Sequence, residues 1–141
     1  MSATQGRVLL AVSAQTRRRL LSAFAGYEVA WAQTEAEVRA ALCTSHFDLA
    51  VVGSHFDESN TFDIVRGLRH ADPALRIVCV RGRPFPGALG HSTMKAFRTA
   101  CEAEGVCAVI DLLDYPEDDA GKRAICALFE QQLCAASPPA A

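Results

Sequence analysis

The side chains best suited to chemistry in this 141-residue sequence stand just after short apolar runs. Residues 49–52 form such a run, which ends at Gly53 and is followed by Asp57 and Glu58. Carboxylates that converge from separate strands can hold a divalent cation or accept a phosphoryl group. After the first apolar run, however, Ser13 is the only oxygen-bearing side chain. The acids are therefore interpreted as solvated turn residues, and no metal site is predicted.

Six cysteines and four histidines are the other candidate reactive groups. The cysteines lie inside apolar segments and form no CxxC pair, and the histidines form neither HExxH nor HxH. Buried, reduced thiols are expected, without a metal or thioredoxin-type site. A thiol sensor using Cys101 with Cys107, or Cys126 with Cys134, is an alternative that requires an exposed thiol of low pKa.

Composition indicates one domain that lacks the excess of positive charge expected of a protein that binds nucleic acid or an anionic membrane. Half of the residues are apolar, the net charge is −2 and the pI is near 6.1. The cluster Arg17, Arg18 and Arg19 is interpreted as the exposed face of a helix. No apolar run approaches the ~18 residues of a membrane span, and no signal peptide pattern is present. We expect a cytoplasmic protein with neither a nucleic acid nor a membrane as direct partner.

The elements that must position these side chains alternate between strand-like runs and amphipathic segments. The predicted strands are residues 7–12, 27–31, 47–52, 76–80 and 106–113. The predicted helices are residues 16–24, a helix from 34, and residues 61–70, 92–104 and 118–133. Thr34 and Glu37 have capping-box spacing, and Gly26 and Gly105 stand where helices end.

Five strands alternating with five helices predict an α/β fold: a doubly wound, five-stranded parallel sheet in three layers. The flavodoxin-like strand order 2-1-3-4-5 is expected, with functional residues at the carboxyl ends of the strands. Residues 1–6 are assigned to an N-terminal extension, residues 7–133 to the domain and residues 134–141 to a disordered tail.

Three stretches give the chain a resemblance to a known family: VLLAVSAQTRRRLL, FDLAVVGS and LRHADPALRIVCV. From Arg7 to Leu133 the sequence resembles the receiver domain of two-component response regulators (CheY-like). The resemblance implies an acid pair after strand 1, a phosphoacceptor aspartate after strand 3, a hydroxyl after strand 4 and a lysine after strand 5. These positions fall on Val12 and Ser13, on Gly53, on Arg81, and on Leu112 or Tyr115. The resemblance therefore implies a degenerate receiver without the phosphoacceptor.

Arg81 places a planar cation where the family carries a small hydroxyl. It could bind Asp57, Glu58 or Asp111 and hold the loops at this edge in one state, or it could point to solvent.

The segment 81–90 is longer than the usual connection of about 2 to 6 residues. Arg83, Phe85 and His91 are its candidate interaction residues, although a lid on the domain's own core is the favoured role of Phe85.

The expected function is that of a non-catalytic, phosphorylation-independent pseudo-receiver in bacterial signalling or transcriptional regulation, without a cofactor. Its partner would be a histidine kinase, a regulator or another signalling protein, or a second copy bound through helix 4, strand 5 and helix 5. The alternative is a flavodoxin-like protein that binds flavin, nucleotide or phosphate. For that role Ser13 and Thr16 offer hydroxyls near a helix start, but the turn has no glycine.

Overall fold

The fold is known from a computed structural model, which describes residues 6–54, 61–82 and 90–136, with the backbone alone at 90–93 and 134–136. One parallel sheet has the strand order β2-β1-β3-β4-β5, as predicted. The strands are β1 Arg7–Ala11, β2 Glu28–Ala32, β3 Leu49–Gly53, β4 Arg76–Arg81 and β5 Ala108–Asp111. The helices are α1 Ala14–Leu20, α2 Glu35–Thr44, α3 Thr61–Ala71, α4 Gly90–Ala103 and α5 Asp119–Ala136.

Both faces of the sheet are covered, because successive strand residues point to opposite sides. In β1, Leu9 lies in a core formed with α2, α3 and α4, whereas Leu10 lies in a core formed with α1 and α5. All five residues of β3 are buried. On the α1 and α5 side, the rings of Phe24 and Phe129 meet edge to face with centroids 5.0 Å apart. These two layers confirm the doubly wound fold.

The predicted helix boundaries rest on local hydrogen bonds. Thr34 Oγ1 accepts a hydrogen bond from the Glu37 N–H at 3.2 Å, and the Glu37 carboxylate accepts one from the Gln33 N–H at 3.3 Å. Gly26 and Gly105 have φ values of 88° and 82°, a region that favours glycine. The capping and helix-end signals in the sequence are therefore confirmed.

The ends of β5, α1 and α5 differ from the prediction. Strand β5 ends at Asp111, because the Asp111 carboxylate accepts the Leu113 N–H at 3.0 Å and starts a 3-10 helix, Leu112–Asp114. Likewise α1 ends at Leu20 and continues as the 3-10 helix Leu21–Phe24. Helix α5 extends to Ala136, into the segment predicted as a tail, and residues 137–141 lie outside the described part.

The expectation of buried thiols holds for only part of the cysteine set. Cys79 and Cys101 are buried, whereas Cys43 and Cys107 are exposed; these four thiols are free. The two exposed positions lie on the outer face of α2 and in the connection before β5, where apolar neighbours in the sequence do not imply burial. A hydrogen bond with Cys101, together with burial, raises the pKa of the Cys79 thiol.

Each helix within residues 6–54, 61–82 and 90–136 is too short or too polar to traverse a lipid bilayer.

Candidate functional site

Directly after β1, the chain has an aliphatic side chain, that of Val12, where the resemblance implies an acid. Val12 is completely buried in the core beside α1 and α5. Its backbone carbonyl accepts a hydrogen bond from Trp31 Nε1 at 2.9 Å, and the Arg17 guanidinium lies 4.6 Å from the centre of the Trp31 ring. The position therefore offers a carbonyl that is already bound and no carboxylate.

Ser13, the second position after β1, caps α1. Its hydroxyl accepts a hydrogen bond from the Thr16 N–H at 3.3 Å and donates one to Thr16 Oγ1 at 3.2 Å. A side chain on Gly82 would collide with this Thr16 hydroxyl, so the backbone after β4 lies against the first turn of α1. The two hydroxyls that a phosphate-binding turn would use are therefore engaged in contacts within the domain.

Gly53 is the buried last residue of β3. Its φ is not among the positive values of the chain, and a Cβ added there would contact Val12 Cγ1 at 3.5 Å, an ordinary van der Waals distance. The Gly53 carbonyl accepts a hydrogen bond from Thr61 Oγ1 at 3.2 Å. The backbone therefore does not require glycine at this position, which is buried beside Val12.

Arg81 and Asp111 form a buried ion pair at the ends of β4 and β5. They are register partners in adjacent strands. Arg81 Nε donates to Asp111 Oδ1 at 3.0 Å, and Arg81 Nη2 donates to Asp111 Oδ2. Only 13% of the Arg81 side chain and 6% of the Asp111 side chain are exposed. Of the three carboxylates considered for Arg81, Asp111 is bound, whereas Asp57 and Glu58 lie outside the described residues.

Arg19 fastens the segment after β5 to α1. Its Nη1 donates to the Leu112 carbonyl at 2.7 Å, and its Nη2 donates to the carbonyls of Tyr115 at 2.9 Å and Pro116 at 3.2 Å. The side chain is 14% exposed. The prediction of an exposed arginine face is thus wrong for Arg19, because this side chain turns toward residues 112–116. The sequence gives no indication of this role, because the acceptors are backbone carbonyls, which every residue has.

The remaining candidate residues separate into two groups. Leu112 directly follows β5 and is completely buried, and Tyr115 is half-buried against the same core. Neither side chain is cationic. Arg83 and Phe85 lie outside the described residues, and of His91 only the backbone, within α4, is described. The structure thus places Val12 beside Gly53, pairs Arg81 with Asp111, and joins Leu112 to Tyr115 through Arg19.

The divalent cation that the resemblance implies does not fit the residues present. At the described edge, the Val12 side chain has no oxygen, Ser13 is used for capping, Gly53 has no side chain and Asp111 is bound by Arg81. Within residues 6–54, 61–82 and 90–136, no group of three His, Cys, Asp or Glu side chains could hold a metal ion. Oxygen ligands from several elements would be needed for such a site.

Comparisons with known proteins give a fold and no sequence family. No protein-family model and no curated protein matches the sequence. Among solved structures, a receiver domain protein (CheY-like) from Methanospirillum hungatei JF-1 has 18% identity and a TM-score of 0.66, with 92% of this chain and 94% of that chain covered. The receiver domain of the TMAO respiratory system response regulator TorR has 17% identity and a TM-score of 0.70, with 93% and 98% covered.

A response regulator from Thermotoga maritima is also similar, with 19% identity and a TM-score of 0.62, and with 86% of this chain and 97% of that chain covered. At such identities the likeness establishes the fold. The chain has the flavodoxin-like fold of receiver domains, in agreement with the resemblance seen in the sequence.

Proposed function

We propose that this chain is a non-catalytic, phosphorylation-independent pseudo-receiver that acts in signal transduction through protein–protein contacts. The observation that carries the proposal is that Gly53 lies beside Val12. At the end of β3, where receiver domains hold the phosphoacceptor, this chain has a glycine beside a buried aliphatic side chain. A domain that keeps the fold without the nucleophile can still offer its surface to a partner.

The chemistry of phosphoryl transfer supports the absence of catalysis. Transfer to a carboxylate needs the nucleophile, ligands for a divalent cation and a cationic group that stabilises the phosphoryl oxygens. By the resemblance, Gly53 stands at the first of these positions, Val12 and Ser13 at the second, and Leu112 or Tyr115 at the third. Arg81 is a cation at the same edge of the sheet, and Asp111 holds its guanidinium in two hydrogen bonds. The barrier to transfer is then not lowered by any of these groups.

The proposed partner is a signalling protein, such as a histidine kinase or a regulator in bacterial signalling or transcriptional control, and the proposed location is the cytoplasm. Self-association through α4, β5 and α5 is a further part of the proposal. Strand β5 is at the edge of the sheet, and Arg98 Nη1 from α4 donates to the Val109 carbonyl at 3.0 Å. This contact occupies an edge carbonyl, so a dimer would form through side chains rather than by strand pairing.

Incubation with acetyl phosphate and Mg²⁺, followed by intact-mass measurement, tests the missing reaction. The wild-type mass should remain unchanged, while a receiver domain with its aspartate, treated in parallel, should gain a phosphoryl group. Gly53→Asp is the informative variant, because the backbone has room for its Cβ. It should also remain unmodified, since the cation ligands are still missing. A phosphorylated carboxylate in the wild-type chain would overturn the proposal.

Partner binding needs a separate measurement. Proteins captured from the native cell by the tagged chain should be retained equally with and without acetyl phosphate. Light scattering of the purified chain measures self-association, and Arg98→Glu tests whether it uses the edge of β5. A partner that binds only after acetyl phosphate treatment would contradict phosphorylation independence, and a dimer unaffected by Arg98→Glu would contradict the proposed face.

A further inference from the structure

A cavity lies between α1 and α5, apart from the Val12 and Gly53 positions. Its volume is about 320 Å³, at the lower end of the range of roughly 300–1,000 Å³ for small-ligand pockets. The lining side chains are those of Gln15, Arg18, Arg19, Glu117, Lys122 and Ile125. Three of these six side chains are cationic and one is acidic. This local excess of positive charge contrasts with the net charge of −2 of the whole chain.

The three cations of this cavity differ in how they are held. Arg19 is fixed by three backbone carbonyls and is largely buried. Arg18 and Lys122 are exposed, and neither takes part in an ion pair within the described part of the chain. One preorganised cation therefore stands beside two that have no carboxylate to neutralise them. A bound anion could satisfy both without displacing an existing ion pair.

The acids near this cavity weaken its positive field only in part. The Glu117 carboxylate lies 3.8 Å from Arg19 Nε and is 73% exposed, so the pair is long and solvated. Asp118 uses its carboxylate at the start of α5, where Oδ1 accepts the Gly121 N–H at 2.8 Å. Asp119 is exposed in the first turn of α5. Glu117 is therefore the one carboxylate on the wall, and it can turn toward solvent.

We propose that the cavity between α1 and α5 binds a compact phosphate-bearing anion, such as a small phosphate ester. Arg18 and Lys122 would contact the phosphate from the two helices, and Ile125 would lie under the apolar part of the ligand. Because Arg19 also holds the carbonyls of Leu112 and Tyr115, an anion bound here would reach the segment after β5. The ligand would then influence the proposed partner face without any phosphorylation of the protein.

The ligand class can be tested by ¹H–¹⁵N NMR titration of the full chain at fixed ionic strength. AMP, inorganic phosphate, citrate and adenosine are the probes. AMP and phosphate should give saturable shifts in α1 and the first turns of α5, and adenosine should give none. Shifts that fail to saturate by about 10 mM, the weak end of ordinary affinities, would overturn the site. Tighter binding of citrate than of AMP would overturn the phosphate class.

Single substitutions test the residues. Arg18→Ala and Lys122→Ala should each weaken AMP binding about three- to fivefold, the range of one exposed charge contact. Lys95→Ala removes the same charge from α4 and should leave binding unchanged. Glu117→Gln should tighten binding about twofold, a gain that misfolding cannot produce. Equal losses for Lys95→Ala and Arg18→Ala, or weaker binding by Glu117→Gln, would overturn the assignment. These readouts do not depend on whether the protein is phosphorylated.

Discussion

Removing the Arg81 guanidinium should strongly destabilise the fold. Arg81→Ala would leave the Asp111 carboxylate, 6% exposed, without its cation. Breaking a buried ion pair by removing one partner costs about 3–5 kcal/mol. The lower end applies here, because Asp111 keeps the Leu113 N–H and Arg81 is partly exposed. We therefore expect the free energy of unfolding to fall by about 3 kcal/mol, a large share of the roughly 5–15 kcal/mol typical of a domain.

Urea unfolding followed by tryptophan fluorescence measures this change. Trp31 is the only tryptophan in the chain, and its ring lies between the end of β1 and the Arg17 guanidinium, so unfolding alters its surroundings. With a denaturant slope of about 2 kcal/mol/M, a loss of 3 kcal/mol lowers the urea midpoint by about 1.5 M. Hydrogen exchange should also become faster at the Leu113 amide, whose acceptor is Asp111.

Two controls distinguish the effect of breaking the buried ion pair from a general effect of removing a charge. Arg39→Ala breaks the exposed pair with Glu35 and should cost less than about 0.5 kcal/mol. The double variant Arg81→Met with Asp111→Leu removes both charges and should recover most of the loss. The reasoning is refuted if Arg81→Ala costs no more than Arg39→Ala. It is also refuted if the double variant is as unstable as Arg81→Ala.

Three further predictions concern single positions. Gly67→Ala should raise the free energy of unfolding by up to about 1 kcal/mol, because an added methyl group in α3 would contact nothing within 4 Å; a lower urea midpoint would contradict this. Gly121→Ala should lower it by roughly 1–3 kcal/mol, because the methyl group would overlap the Pro116 carbonyl, and an unchanged midpoint would disprove that overlap. A hydrogen bond from Arg66 lowers the pKa of Glu104. The stabilising effect of this pair is therefore present above the pKa that Glu104 has in the unfolded chain, and it is lost as the pH falls through the pKa that Glu104 has in the folded protein. In the Glu104→Gln variant, the free energy of unfolding should therefore depend less on pH in the acid range. An ordinary carboxyl pKa for Glu104, measured by NMR in the wild-type protein, would refute this prediction.

The sheet could be predicted because its signals are local. The apolar residues 8–11 of β1 and 49–52 of β3 indicate strands covered on both faces, and the order of the elements then fixes a parallel sheet. The hydroxyl of Thr34 and the positive φ of Gly26 and Gly105 act within a few residues, so the sequence shows them directly. Positions that depend on neighbours along the chain were therefore predicted well.

The contacts of Arg81 and Arg19 at the carboxyl edge of the sheet could be predicted only in part, because they join residues far apart in sequence. Arg81 and Asp111 are separated by 30 residues, and residue type alone left Asp57 and Glu58 as equal candidates. Arg19 and Tyr115 are separated by 96 residues, and the acceptor is a backbone carbonyl that no residue type reveals. The orientation that distinguishes Arg19 from its neighbours on α1 depends on where α5 lies.

The side chains at the carboxyl edge of this sheet also affect the stability of the fold. Clustered carboxylates that await a cation repel each other, and this repulsion disfavours the folded state when the site is empty. In this chain Val12 places an aliphatic side chain beside Gly53, and the Asp111 carboxylate is paired with Arg81. The backbone at Gly53 would accept a Cβ, so the absence of an aspartate there is not imposed by the geometry of the strand. The described part of this edge therefore has no clustered carboxylates that repel each other, and under the proposed function a signal would depend on surfaces and ligands elsewhere on the domain.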